Sequence, residues 1–201
     1  MLETMVKEFN VMDIPDAKSG NWEIRTFEVK DDTDKFIFNF RAGSRRIRSG
    51  IYKGIYRGGH VIMSNTPAEL NDHYEYELKV GQKDCKTVLI NGLGLGCALS
   101  MALKNPYIEK ITVVEISQDV INLVSPYIND SRVQIICEDA YLYKPTENYD
   151  VVWHDIWDDI CSDNLEGMAK LHRKYGRKTK WQSSWCKSER QYKKRQEKKR
   201  K

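Results

Sequence analysis

The sequence lacks the patterns that define several large classes of protein. Its five cysteines are scattered and odd in number, and none forms a CxxC pair. This argues against a disulfide framework and a zinc site, so we expect no bound metal. No apolar run approaches the roughly 20 residues that a membrane-spanning helix needs. The N-terminus, MLETMVKEFN, has no basic-then-apolar secretory pattern. We therefore expect a soluble, cytoplasmic protein without a membrane partner.

Acidic residues are scarce in the last part of the chain. Lys187 to Lys201 holds nine basic and two acidic residues, a local charge of +7, whereas the whole chain carries +4. Residues 1–186 are thus mildly acidic, at −3. We expect residues 187–201 to form a disordered tail, either simply solvated or in contact with nucleic acid, whose phosphates such runs neutralise. The acid-free basic stretch Arg41 to Arg57 favours the second interpretation.

Residues 1–62 have the composition of a small strand-rich extension. Trp22 to Val29 and Lys35 to Phe40 are typical of strands. Ile51 to Met63 predicts a hairpin that turns at Gly58-Gly59. The polar segment Asn71 to Lys79 is helix-like and leads into the central part of the chain.

From Thr87 onward, short apolar runs alternate with helical segments. This rhythm predicts an α/β fold with a doubly wound, mainly parallel sheet in residues 63–186. Few residues follow the fifth strand, so we expect the C-terminal end of the fold to be truncated, without further strands. The expected strands are Thr87 to Ile90, Ile111 to Val114, Val133 to Cys137, Asp150 to Trp153 and Thr179 to Trp185. The expected helices are Ala98 to Lys104, Gln118 to Val124 with Ser117 as N-cap, and one from a capping box of Asp163 and Glu166 to Gly176.

A glycine-rich loop follows the first of these strands, in Asn91-Gly92-Leu93-Gly94-Leu95-Gly96. The spacing is G-x-G-x-G, because Cys97 takes the place of the third dinucleotide glycine. Glycines allow a tight turn and a close approach of ligand atoms, and the following helix offers free N–H groups. Glu115 ends the next strand 23 residues after Gly92, where a carboxylate can bind both hydroxyls of a ribose. The loop and the acid together predict ligand binding.

Four stretches in order resemble motifs I to IV of class I S-adenosylmethionine (SAM)-dependent methyltransferases, which have a Rossmann-like fold. They are VLINGLGLG (88–96), TVVEIS (112–117), the Glu138-Asp139-Ala140 turn and YDVVWHDIWDD (149–159). The spermidine-synthase-like branch is the most similar, in NPYIEKITVVEIS and YDVVWHD. The stretch from about Met63 to Trp185 also resembles small methyltransferase-like proteins of phages, in MSNTPAEL, WHDIW and KWQSSW. The resemblance implies an enzyme with SAM as its cofactor.

By this resemblance, the ends of the first three core strands would bind the cofactor. The glycines would line its methionine moiety, Glu115 would bind its ribose, and Asp139 would reach its adenine amino group unless it is a mere surface acid. The expected cofactor-binding set is Asn91, Gly92, Gly94, Gly96, Glu115, Ile116, Asp139 and Ala140.

Polar residues crowd the end of the fourth core strand. Asp155 matches the acid that spermidine synthases place near the attacking amine, and Asp158 matches a second acid of that motif. A carboxylate there can orient an amine or hydroxyl or take its proton, and His154 is an alternative base. Strand alternation puts His154 and Asp155 on opposite faces. Trp153 and Trp157 either stack on a ligand or pack in the core.

Three functions compete. We favour methyl transfer from SAM to an unidentified acceptor, because Leu95 stands where spermidine synthases carry the Asp that holds the amine of decarboxylated SAM. Aminopropyl transfer from decarboxylated SAM is the first alternative. A non-catalytic nucleic-acid-binding module that uses Lys187 to Lys201 is the second. Neither an NPPY-type motif nor a Pro-Cys pair is present to support standard methylation of DNA bases. Ser64 to His73 either folds over the site or is a structural loop.

Overall fold

The computed structural model describes residues 9–30 and 47–199, which form two sheets with helices packed against them. The strands are β1 (Ala17–Ser19), β2 (Trp22–Val29), β3 (Gly50–Arg57), β4 (His60–Ser64), β5 (Thr87–Asn91), β6 (Lys110–Glu115), β7 (Val133–Cys137), β8 (Tyr149–His154) and β9 (Thr179–Ser184). The α-helices are α1 (Pro67–Leu70), α2 (Tyr74–Val80), α3 (Cys97–Leu103), α4 (Gln118–Val124), α5 (Asn164–Tyr175) and α6 (Lys187–Lys199). Short 3-10 turns cover Val11–Asp13, Asn71–His73 and Ser125–Tyr127.

The first four strands form an antiparallel sheet in the order β1-β2-β3-β4. The predicted hairpin is confirmed: it turns at Gly58 and Gly59, whose φ angles of +56° and +85° favour glycine. The predicted domain boundary at residue 62 falls inside β4, so this strand belongs wholly to neither predicted unit. The expected strand Lys35 to Phe40 lies outside the described residues.

The carboxylate of Asp16 connects the segment before β1 to two strands of this sheet. Asp16 accepts hydrogen bonds from the backbone N–H of Thr26 at 2.9 Å and from Nζ of Lys53 at 2.7 Å. The Lys53 side chain is buried, whereas that of Asp16 is half exposed. The hydrogen bonds from Lys53 and Thr26 lower the pKa of Asp16 to about 2.

The second sheet is parallel throughout, in the order β7-β6-β5-β8-β9. Because β6 and β8 leave β5 on opposite sides, the strand order reverses at β5, which makes its carboxyl end the switch point of a doubly wound fold. Apolar side chains pack on both faces: Val88 and Ile90 lie in the cluster with α2, α3 and α4, and Leu89 lies in the cluster with α5. The predicted Rossmann-like α/β fold is thus confirmed.

Helix caps agree with the sequence in one case and differ in another. The Ser117 side chain accepts from the N–H of Val120 at the start of α4, as expected. Asp163 makes no side-chain capping bond at the start of α5, and its φ and ψ are helical. An N-cap needs an extended backbone, so the predicted capping box does not form. Glu166 pairs with Lys170 one turn later instead, at 2.9 Å.

The end of the chain differs from expectation. Residues 187–199 form helix α6 rather than a disordered tail. The physical reason is one side chain: Arg190 is fully buried against two tryptophans, which fastens a helix that is otherwise highly charged. Up to residue 199, where the described part of the chain stops, no strand follows β9. Within the described ranges, none of the helices has both the length and the apolar composition that a membrane span requires.

Candidate functional site

A cavity of about 280 Å³ opens at the switch point of the parallel sheet. Its floor is formed at the carboxyl ends of β5, β6, β7 and β8, where Gly92, Glu115, Asp139 and Asp155 lie. The N-terminal sheet closes the opposite side. Its lining residues are Trp22, Arg57, Ile62 and Met63.

The glycine loop is packed so closely that two of its glycines have no room for a side chain. A Cβ on Gly92, whose φ is +99°, would lie 2.1 Å from the carbonyl oxygen of Asp155. A Cβ on Gly94, whose φ is +49°, would lie 2.2 Å from Sδ of Met63. The first approach brings the loop against the end of β8, where the N–H of Asp155 donates to the carbonyl of Asn91 at 2.8 Å, and the second brings it against β4. The loop and the acid therefore form one unit.

Glu115 is buried at the base of the cavity. One carboxylate oxygen accepts from the N–H of Leu93 at 2.8 Å, and the other accepts from the N–H of Ser117 at 2.9 Å. Burial raises the pKa of Glu115 above its ordinary value, although these amide donors lower it. The backbone N–H groups of Gly94 and Ile116 also lie near enough to lower this pKa, so hydroxyls of a ligand would share the carboxylate with amide donors.

The turn after β7 supplies the side wall of the cavity. Asp139 lines the cavity and accepts from the N–H of Tyr141 at 2.7 Å, which fixes the turn. Ala140 is buried beside it, and its carbonyl accepts from the hydroxyl of Tyr175 at 2.8 Å. Ile116 is strongly exposed at the mouth. All three lie where the sequence places them, and their roles in binding stay predictions.

Three of the expected site residues, Asn91, Gly96 and His154, do not line this cavity, so its geometry gives no support to their expected roles. Asn91 is fully buried, with its amide nitrogen 2.7 Å from Nδ1 of His154. Gly96 faces the ring of Phe9, which a Cβ at that position would meet at 2.8 Å.

His154 points into the α5 side of the sheet, where Nε2 lies 3.1 Å from Oε1 of Gln182. Because burial lowers the pKa of His154 to about 3, its imidazole is neutral near pH 7. A fully buried ring on the face away from the cavity is not placed to act as the base.

The two acids at the end of β8 have different partners. The Asp155 side chain is 7% exposed, and its Oδ2 lies 3.8 Å from Nε2 of His73, which is buried. Asp158 lies at the rim and forms an ion pair with Arg57, whose guanidinium also lies over the ring of Trp22 at 5.3 Å. Asp155 is therefore the sheltered acid, and Asp158 the solvent-exposed one.

The two tryptophans of this motif, Trp153 and Trp157, also have different surroundings. Trp153 is buried and stacks on Trp181 with a centroid distance of 6.4 Å, so it packs in the core. Trp157 lines the cavity.

Sequence reasoning missed the walls contributed by the N-terminal sheet and the residue behind Asp155. Trp22, Met63 and Tyr141 carry no local signal for a site, because only tertiary packing brings them to it. Arg57 drew notice only as part of a basic stretch. His73 ends the Ser64 to His73 segment, which does reach the site through its contact with Asp155.

A second, smaller cavity of about 210 Å³ lies on the other side of the end of β8, between α2 and the start of α6. Trp153 forms part of its wall, and the charged residues around it are three acids and one lysine: Asp72, Glu75, Glu189 and Lys187. Two cavities with acidic linings thus adjoin the same strand end.

Comparison with known protein families gives a match to the spermine/spermidine synthase domain, over residues 73–174. This range contains the glycine loop, Glu115, Asp139 and Asp155, and it also includes His73.

Two curated relatives carry related names. A polyamine aminopropyltransferase of Pyrobaculum calidifontis is 31% identical over 107 residues, which cover 44% of this chain and 37% of the relative. Polyamine aminopropyltransferase 2 of Pseudomonas aeruginosa is 24% identical over 185 residues, which cover 78% of this chain and 50% of the relative. The chain thus spans no more than half the length of these relatives.

Among solved structures, the spermidine synthase of Thermotoga maritima has a TM-score of 0.52 and 18% identity, and the match covers 85% of this chain and 55% of that one. This similarity shows the fold. The resemblance to phage-encoded proteins is not tested by any of these matches and stays a prediction.

Proposed function

The chain belongs to the spermine/spermidine synthase domain family, and from this premise we propose that its larger cavity binds an S-adenosyl sulfonium nucleoside and transfers an alkyl group from it to an amine. The observation that carries the proposal is the meeting of Gly92, Glu115, Asp139 and Asp155 around one cavity at the switch point. Ligands of doubly wound folds bind at this place.

The residues present fit such a nucleoside. The absence of a Cβ at Gly92 and Gly94 lets the loop pack against Asp155 and Met63, and both glycines still line the cavity, where their backbone is open to a ligand. Glu115 would accept hydrogen bonds from the ribose hydroxyls, and Asp139 would accept one from the adenine amino group. When bound, the nucleoside supplies an electron-poor carbon next to a positively charged sulfur.

Asp155 is the residue that would act on the acceptor. A carboxylate accepts a hydrogen bond from an amine N–H, orients the nitrogen lone pair and takes the proton that the nitrogen loses. Its low exposure strengthens these interactions, because nearby water screens them less. His73, 3.8 Å away, restricts where this carboxylate can lie.

The charge around the site favours an amine as the acceptor. Acidic side chains outnumber basic ones in both cavities. Arg57 is the basic residue of the larger cavity and pairs with Asp158, which leaves Asp155 beside it, and Lys187 accompanies Asp72, Glu75 and Glu189 in the smaller one. Carboxylates stabilise ammonium groups and repel anions, so an ammonium group of a di- or polyamine would suit the lining of either cavity.

Aminopropyl transfer is the first candidate reaction. The family match and both named relatives favour it, and the donor would then be decarboxylated SAM. This reverses the order suggested by the sequence, which favoured methyl transfer.

Methyl transfer from SAM is the second candidate, and one observation favours it. Leu95 is fully buried in the core, so the described glycine loop offers no carboxylate to the amine of a decarboxylated donor. The loop therefore has no carboxylate that would favour decarboxylated SAM over SAM.

The two candidates are distinguished by mass spectrometry of the product. The protein is incubated with putrescine or spermidine and with either SAM or decarboxylated SAM, and the product gains a methyl or an aminopropyl group accordingly. Asp155→Asn should abolish most turnover with either donor, whereas Asp163→Asn, which changes an exposed acid nearby, should not. If no nucleoside binds in calorimetric titration, the proposed site is wrong.

A contact with nucleic acid through Lys187 to Lys201 is a separate proposal. Helix α6 exposes Lys194, Arg195, Lys198 and Lys199. Replacing these four with Gln tests it better than deletion, because deletion would also remove the buried Arg190. The variant should elute from an RNA column at a lower salt concentration than the wild type does. Equal retention would show that α6 is only a solvated helix.

A further inference from the structure

Arg190 is buried between two tryptophan rings. Its guanidinium carbon lies 5.0 Å from the ring centroid of Trp157 and 4.8 Å from that of Trp185. The residue is fully buried, and one guanidinium nitrogen donates to the carbonyl of Asp159 at 2.7 Å. A side chain from the last described helix thus reaches beneath the loop that follows β8.

This arrangement depends on the shape of arginine. A planar guanidinium can stack on aromatic faces and still donate in its own plane, which the ammonium group of lysine cannot do. A buried charge also costs free energy unless the surrounding groups compensate it. Two ring faces and a backbone carbonyl contribute to that compensation here, and they do so only while Trp157 and Asp159 keep their positions.

The residues held by Arg190 are part of the larger cavity. Trp157 and Asp158 line it, and Asp159 follows them directly in the loop. On the other side, Trp157 shares a side-chain hydrogen bond with Tyr141, which also lines the cavity. The contacts therefore run from Trp185 through Arg190 and Trp157 to the wall beside Asp139.

We propose that Arg190 is a positioning residue, which holds the loop of residues 155–160 against the cavity and keeps Trp157 in its wall. This role rests on the proposed function, since it assigns to Arg190 the shape of the nucleoside site. Arg190 acts through Trp157 and Asp159 and touches no ligand itself.

The test uses Arg190→Lys and Arg190→Gln, with Arg195→Lys as the matched control on the exposed face of the same helix. Hydrogen–deuterium exchange of residues 155–160 is measured without ligand, and the affinity for 5′-methylthioadenosine is measured by calorimetry. Losing two cation–π contacts should speed exchange in this loop and weaken the affinity, each by about tenfold. Arg190→Lys should lie between the wild type and Arg190→Gln.

A purely structural role would give a different pattern. Arg190→Gln would then lower the urea midpoint and speed exchange in α6, but the affinity measured on the folded protein would equal that of the wild type. That result overturns the proposal, as does unchanged exchange in residues 155–160. If the wild type binds no nucleoside, the proposed function fails, and exchange in the loop alone then decides whether Arg190 holds it.

Discussion

Replacing Glu115 with glutamine tests the base of the cavity with the smallest change of shape. Glutamine keeps one acceptor oxygen and exchanges the other for an amide that can only donate. In the native protein, both carboxylate oxygens accept from backbone N–H groups, those of Leu93 and Ser117. One of these two donors would therefore face another donor in Glu115→Gln.

The stability effect has two opposing parts. Leaving one buried N–H without its acceptor costs about 1–3 kcal/mol. The variant also removes a charge whose burial is unfavourable, as the raised pKa of Glu115 indicates. Because the native protein keeps this proton at a higher pH than the unfolded chain does, the contribution of Glu115 to stability falls as pH rises through its raised pKa. The variant should lose this pH dependence.

We expect an effect of similar size on ligand binding. A hydrogen bond to a charged acceptor contributes about 1.5–3 kcal/mol and one to a neutral acceptor about 0.5–1.5 kcal/mol. Losing that difference for one or two ribose hydroxyls amounts to about 1–3 kcal/mol, or roughly 5- to 150-fold in the dissociation constant.

The assay is calorimetric titration with 5′-methylthioadenosine, which shares its nucleoside with both candidate donors. Urea unfolding of the same samples establishes that the variant is folded. Glu109→Gln serves as the control, because Glu109 is largely exposed and pairs with a surface lysine, Lys86, at 3.5 Å. If folded Glu115→Gln binds the nucleoside as tightly as the wild type, Glu115 does not hold the ribose.

Three further predictions concern acids and a histidine. Asp155→Asn should slow turnover by about 10²-fold or more while leaving the affinity for S-adenosylhomocysteine nearly unchanged, and normal turnover would move the catalytic role to Asp158. Asp16→Asn should flatten the loss of stability in acid. The wild type gains stability above the ordinary pKa of Asp16 and loses it as pH falls toward about 2, so the urea midpoints of the two proteins should differ near pH 7 and converge in acid, and equal midpoints near pH 7 would contradict the Lys53 contact. The pKa of His154, lowered to about 3, implies NMR signals of a neutral ring down to about pH 5. Because the unfolded chain takes up this proton at higher pH, His154 lowers stability as pH falls below its ordinary pKa, and a titration near pH 6.5 would contradict its burial.

Much of the parallel core could be predicted because its signals are local. The bounds of α4 and β7 agree with the sequence, since a serine N-cap and a short apolar run need no knowledge of the rest of the chain. The glycine loop and Glu115 were also predictable, because both lie at strand ends and the ends of parallel strands meet at one edge.

The remaining features depend on packing between distant segments. Trp22 and Arg57 reach the cavity only because the N-terminal sheet lies over the switch point. Alternation placed His154 and Asp155 on opposite faces correctly, but it could not say which face carries the cavity. The high charge of residues 187–199 is typical of a solvated tail. They form a helix instead, and one of its side chains, Arg190, is buried.

The pairing of β5 with β8 determines the order in which the parts of this protein can fold. Asn91 lies opposite His154, 63 residues later, so the two strands meet only after a long loop closes. Such distant pairing is slow, whereas the β3–β4 hairpin closes across two residues. Gly92 and Asp155 are in contact only once the central strands are joined. Recovery of nucleoside binding after dilution from urea should therefore lag behind formation of the hairpin and follow completion of the central sheet.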